Sequence, residues 1–193
     1  MTDDSPYIAV YLPGGHGAML GLPDNPDLGE LLCWAHRSNR FTLAICHGPA
    51  ALLAAADQGP HLIDFAVWDI LWGFFGLYPV PSFSSFRSRA QKLLKVKKVY
   101  LIDQGDFIYN GYKIAAFPDA VDKQMPMIGY MPGHLQWNMG KKLNALGTTV
   151  INKKADKTCH IDRRLVSGAG PQAANNFGRL AAETLLKATR SKR

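Results

Sequence analysis

Cysteine is scarce in this chain, acidic residues are outnumbered, and no long apolar run is present. Three cysteines, Cys33, Cys46 and Cys159, are spread over 193 residues. An odd number at wide spacing is neither a disulfide framework nor a Cys-x-x-Cys pair. The longest uncharged apolar run, Ile70 to Pro81, falls well short of the roughly twenty residues that span a bilayer. No membrane partner is therefore expected, and free thiols without a leader sequence read as a cytoplasmic protein. His16, His36, His61 and His134 show no metal-ligand spacing, so no metal and no cofactor are expected. The paired glycines Gly14 and Gly15 lack the lysine of a phosphate loop. The net charge is +7, from 22 basic and 15 acidic residues. The excess comes mostly from local clusters at 87–98, 141–142 and 187–193 rather than from bases interleaved with aromatics on one surface, which argues against a nucleic-acid partner.

What is present centres on Phe41-Thr-Leu-Ala-Ile-Cys46-His47-Gly48-Pro49-Ala50. The first five residues read as a buried strand. After Cys46 the run Gly48-Pro-Ala-Ala-Leu-Leu-Ala-Ala-Ala is strongly helix-forming, with proline near its start. A cysteine at such a corner sits where unpaired N–H groups favour the thiolate, the arrangement of a nucleophile elbow. His47 follows it directly, and histidine is the usual partner of a nucleophilic thiol. An acid should orient the imidazole. Asp122 is the best placed, with Asp119 as its competitor, because both follow the strand predicted at Lys113–Phe117.

The remainder alternates in the same grammar. A strand at Ile8–Leu12 runs into Pro13-Gly14-Gly15-His16-Gly17, a loop suited to presenting backbone N–H groups, as half of an oxyanion hole does. Asp27 is expected to cap a helix through Ala35, with Cys33 packed in the core. A helix is predicted from Gly133 to Gly147, a strand over 148–151, one or two strands between Thr158 and Ser167, and a closing amphipathic helix from Gln172 to Lys187. Cys159-His160 lies in a strand-like context and is read as structural. This alternation predicts an α/β fold with a parallel sheet and its active residues at the carboxyl ends of the strands. Residues 60–105 break the pattern, holding five of the nine phenylalanines and two of the four tryptophans.

Five segments together closely resemble the heat-shock chaperone and glyoxalase III group of the PfpI-type, class I glutamine amidotransferase-like superfamily. They are Pro13-Gly-Gly-His-Gly-Ala-Met-Leu-Gly-Leu-Pro23, Ile45-Cys-His-Gly-Pro-Ala50, Ala116-Phe-Pro-Asp-Ala-Val-Asp-Lys123, Gly129-Tyr-Met-Pro-Gly-His134 and Gly168-Ala-Gly-Pro-Gln-Ala-Ala-Asn175. The resemblance implies a flavodoxin-like three-layer sandwich around a mostly parallel sheet. It implies a catalytic set of Cys46, His47 and Asp122, an oxyanion hole from the Gly15 and His47 N–H groups, and Gly14 and His16 beside the substrate. It further implies glutathione-independent conversion of methylglyoxal to lactate, with deglycase and holding-chaperone activities toward glycated or unfolded proteins, and a homodimer. Two departures stand out. Family members carry a segment before the Pro-Gly-Gly loop that supplies N-terminal strands, a glutamate bonded to the cysteine, and metal ligands. Without it, the 8–12 and 41–45 strands are expected to have unpaired edges and the chain to work poorly. Relatives also lack 60–105, so 1–59 and 106–193 are expected to form one α/β domain interrupted by an insertion at 60–105.

Overall fold

The computed structural model describes residues 5–56 and 107–190. The expectations for 60–105, as an insertion and as an apolar helix, lie outside the described residues.

Apolar, partly β-branched residues build the central sheet. Strand β1 (Ala9–Leu12) pairs in parallel with β2 (Phe41–Ile45), Ala9 opposite Phe41 and Leu12 opposite Ala44. The other edge of β2 pairs in parallel with β6 (Leu165–Gly168), Thr42 opposite Leu165 and Ile45 opposite Gly168. An antiparallel strand, β5 (Cys159–Asp162), closes the order β1-β2-β6-β5. Strand β2 is therefore paired on both sides and all five of its residues are buried, which corrects the expectation that the 41–45 strand has an unpaired edge. Its unbroken apolar pattern is that of a strand with both faces covered. Two shorter strands, β3 (Lys113–Ile114) and β4 (Thr149–Val150), pair in parallel as a second sheet.

Helix α1 (Pro26–Arg37) packs on β1, β2 and the 48–55 segment, burying Leu32, Cys33, Trp34 and Ala35. Its cap is Asn25, whose Oδ1 accepts the Leu28 N–H at 2.9 Å, rather than Asp27. With Pro26 fixed at the first helical position, the side chain that reaches the free N–H groups is the one before it; Asp27 instead places its charge in the first turn. The closing helix α4 (Ala174–Arg190) packs on β2, β5 and β6 through Phe177 and Ala181. Between these lie the single-turn helix α2 (Asp119–Asp122) and the short α3 (Met139–Ala145). Helix α3 begins later than Gly133, because its free N–H groups at Gly140 and Lys141 are taken by the Asp119 carboxylate at 2.8 and 2.9 Å.

Residues Gly48–Ala55 are wound as a 3-10 helix, tighter than the α-helix that their alanine and leucine content favours. All eight are buried, so packing rather than propensity decides. The segment starts under constraint: a methyl group at Gly48 would run into the Leu12 carbonyl and stand 3.0 Å from the Pro13 oxygen. One core joins Leu52, Leu53 and Ala55 to Phe107, Tyr109 and Ile114, so both described stretches fold around the same interior.

The close approach at Gly48 generates a stability prediction. Gly48→Ala must push the β1 carboxyl end away and should cost about 1–3 kcal/mol in urea unfolding. Gly17→Ala, where an added methyl meets nothing within 4 Å, should stay within about 0.5 kcal/mol. Equal effects of the two substitutions would contradict this packing.

Candidate active site

The corner after β2 turns on Cys46, which has a φ of +61°, one of only three non-glycine residues with positive φ among those described. Such a conformation costs an L-residue about 1–2 kcal/mol and persists only where the surroundings fix it. Here they do so on both sides: the Cys46 N–H donates to the Gly168 carbonyl, and the Phe117 N–H donates to the Cys46 carbonyl, each at 2.9 Å. The chain is thereby reversed so that His47, the next residue, faces back toward the sulfur. Its Nδ1 lies 3.3 Å from Cys46 Sγ, and its Nε2 lies 2.9 Å from Asp122 Oδ2 and 3.1 Å from Oδ1. The imidazole is fully buried, packed between the Phe117 ring at 4.7 Å and the His16 ring at 4.1 Å.

The two candidate acids part company in the structure. Pro118 starts α2, whose single turn carries Asp119 at one end and Asp122 at the other. Asp119 spends both carboxylate oxygens on the α3 N–H groups, whereas Asp122 is buried against His47. Asp119 therefore caps α3.

The glycine loop lies against the cysteine. A methyl at Gly14 would come within 2.7 Å of Cys46 Cβ, so only glycine allows this approach. Gly15 has a φ of +100°, open to glycine at little cost. Its N–H and that of His47 lie beside the Cys46 sulfur and favour its thiolate form. His16, next in the loop, turns its Nε2 to Asp122 Oδ1 at 3.0 Å, with about a quarter of its side chain exposed. The bond of His16 to Asp122 has no signature in the sequence, since the two residues stand 106 positions apart. Gly14, Gly15, His16, Cys46, His47 and Asp122 are thus brought to one place at the carboxyl ends of β1 and β2.

The electrostatics follow from burial and partners. Burial pushes the Cys46 thiol up, but the hydrogen bond and charge of His47, with the N–H groups of Gly15 and His47, outweigh it and hold the thiol below its ordinary value. Burial pushes His47 down; the hydrogen bonds and charges of Asp122 and Cys46 outweigh it and raise His47 to about 9. Each group thus favours the charged form of the other, a thiolate beside an imidazolium. The other two thiols differ: burial raises both Cys33 and Cys159. Cys159 lies in a strand, where the side chain of its neighbour His160 points to the opposite face.

Comparison with known proteins agrees with this architecture. No family model matches the chain. Over 188 residues, 97% of its length, it is 38% identical to the protein/nucleic acid deglycase HchA of Escherichia coli. The chain spans about half the length of the curated relatives it matches, 50% of HchA. Among solved structures, it resembles glyoxalase III from Candida albicans with a TM-score of 0.53 and 18% identity, over 90% of this chain and 55% of that one. It also resembles the Francisella tularensis Rapid Encystment Protein 24 KDa with a TM-score of 0.58 and 16% identity, over 93% of this chain and 58% of that one. At these identities the structural likeness establishes the fold, an α/β flavodoxin-like architecture with a mostly parallel sheet. The chain is homologous to the HchA deglycases of the PfpI-type group, as its motifs indicated. Among the described residues no helix is long and apolar enough to cross a membrane.

The pairing makes a prediction about thiol reactivity. The rate of Cys46 alkylation against pH should inflect at lower pH than that of the same thiol without its partners. A second change is expected as His47 loses its proton near 9. In His47→Ala burial acts with less opposition, so the inflection should move to higher pH. An unshifted profile in that variant would contradict the pairing.

Proposed function

We propose that this chain carries glutathione-independent glyoxalase chemistry: a cysteine thiolate adds to an α-oxoaldehyde and the adduct is converted to a 2-hydroxy acid. The observation that carries the reading is the Cys46 sulfur beside the buried His47–Asp122 pair, with the Gly15 and His47 N–H groups directed at it. A relative named protein/nucleic acid deglycase and a fold-mate named glyoxalase III support it.

In this reading Cys46 is the nucleophile. Its sulfur adds to the aldehyde carbon of methylglyoxal, and the carbonyl π pair becomes an oxyanion facing the Gly15 and His47 N–H groups. His47 first passes its proton to that oxyanion; the neutral imidazole then takes the proton from that carbon and returns it to the neighbouring carbonyl carbon, while the hydroxyl proton passes to the new alkoxide. The first carbon is oxidised to a thioester as the second is reduced to an alcohol, so no external oxidant or reductant is consumed. Water cleaves the thioester, releasing lactate and the thiol. Asp122 holds the imidazole and balances its charge. Gly14 keeps the loop against Cys46, and His16 forms a wall of the substrate space.

On the same reading the partners are small dicarbonyls and the glycated groups they leave on macromolecules. The relatives' name sets nucleic acid beside protein as a bearer of such groups, against the sequence expectation of no nucleic-acid partner. A reducing cytoplasm suits a thiolate that must stay free, and a homodimer is carried over from the resemblance alone. We likewise read 1–59 and 106–193 as one domain interrupted by 60–105, supported by the core that residues 52–55 share with 107–114.

A cysteine peptidase or amidase uses the same elbow on an amide, and a holding chaperone needs no elbow. Incubation of the full chain with methylglyoxal should yield lactate, and Cys46→Ala should lower that rate at least about a thousandfold. Release from amide substrates without lactate would point to the peptidase. Suppressed client aggregation that survives Cys46→Ala, with no dicarbonyl turnover, would point to the chaperone. Unchanged glyoxalase turnover in Cys46→Ala would refute the proposal.

A further inference from the structure

We propose that His16, His47 and Asp122 form a binding site for a divalent transition metal of the zinc type, which occupies the His47 Nε2 lone pair in place of a proton. The three side chains offer two imidazole nitrogens and a carboxylate oxygen, all within 4.8 Å of one another. This is the donor set of a three-ligand zinc site with a fourth position left for water.

The distances suit an ion. A tetrahedral zinc with bonds of about 2.0–2.1 Å has ligand-to-ligand edges of about 3.3–3.4 Å. His16 Nε2 and His47 Nε2 stand 3.0 and 3.1 Å from the same oxygen, Asp122 Oδ1. Two edges of the ligand face are therefore already within a few tenths of an ångström of the bound geometry. The surroundings also set the correct tautomer. His47 turns Nδ1 to the Cys46 sulfur at 3.3 Å, so an Nδ1–H retained there leaves Nε2 as the nitrogen free to bind metal.

Access and rigidity are divided usefully among the ligands. Asp122 and His47 are buried and fixed by α2 and the corner. His16 is the exposed member, on a loop whose Gly15 has positive φ, and gives the ion a route from solvent. The sulfur stands at the opposite nitrogen of the same ring, so Cys46 is no ligand to this ion. Binding expels the Nε2 proton of His47 to solvent and leaves the thiolate with its Nδ1–H donor. On the proposed function the ion is inhibitory, because a metallated His47 cannot carry a proton between carbons. That consequence rests on the functional reading; the binding does not.

The test is isothermal titration of the full chain with zinc chloride in two buffers of different ionisation enthalpy, joined to the absorption spectrum of the cobalt(II) form. One ion should bind with net proton release. Cys46→Ala should bind within about threefold of the unaltered chain, whereas His16→Ala and Asp122→Asn should each weaken binding at least tenfold. The more conservative His16→Gln serves if His16→Ala does not fold. The cobalt spectrum, taken on the unaltered chain, should show ligand-field bands without a thiolate charge-transfer band. A charge-transfer band, loss of binding in Cys46→Ala, or no binding at zinc up to about 0.1 mM would overturn the proposal. Zinc binding in a chain that makes no lactate would refute the functional reading and leave the metal site standing.

Discussion

The site depends on one strained residue held by two backbone hydrogen bonds. Cys46 can adopt a φ of +61° because the Gly168 carbonyl accepts its N–H and the Phe117 N–H reaches its carbonyl. Each bond contributes on the order of 1 kcal/mol net, comparable with the cost of the left-handed conformation. They also tie together three stretches far apart in the chain: the end of β2, the end of β6 and the approach to α2. The reversal they enforce lets sequence neighbours Cys46 and His47 face each other, and Phe117 brings the chain that carries Asp122 to the same place. The glycines answer to this corner too, since Gly14 and Gly48 leave room where β1 passes it.

Around that corner the structure places charge where an isolated charge would be costly. His47 is wholly buried and Asp122 nearly so, and an unpaired charge at such depth costs several kcal/mol. The arrangement closes because each group is partnered: the thiolate by His47 and two N–H groups, the imidazolium by Asp122, the carboxylate by His47 and His16. Removing one member exposes the next, so the set acts as a unit and single substitutions should not add. The sharing of Asp122 between two imidazoles also brings Nε2 atoms from two rings to one oxygen, the feature from which the metal site follows.

Much of this was legible in the residues. The strand, the corner and the adjacent histidine stand side by side in residues 41–47, and a fully buried strand announces itself by five consecutive core residues. The closing helix is equally plain, because Phe177 and Ala181 keep helical spacing. What failed were features set by distant partners. The true start of α3 depends on Asp119, about twenty residues earlier, and the tight winding of 48–55 reflects burial on every side of a run whose alanines favour an α-helix. The pairing of both edges of β2 depends on β6, more than a hundred residues away. The choice between Asp119 and Asp122 was open for the same reason: two acids three positions apart look alike until their partners are known. His16 reached the site through resemblance, and its bond to Asp122 has no local signature.

The central claim is that Cys46 and His47 share one proton as a thiolate–imidazolium pair braced by Asp122. Nitrogen-15 NMR of the His47 imidazole, followed from pH 6 to 10, measures this most directly. The account predicts that both ring nitrogens stay protonated through neutral pH and that His47 titrates near 9; in Cys46→Ala, where one of the groups raising it is gone, it should titrate lower. A neutral His47 at pH 7.5 in the unaltered chain, or a titration that ignores the loss of Cys46, would contradict it.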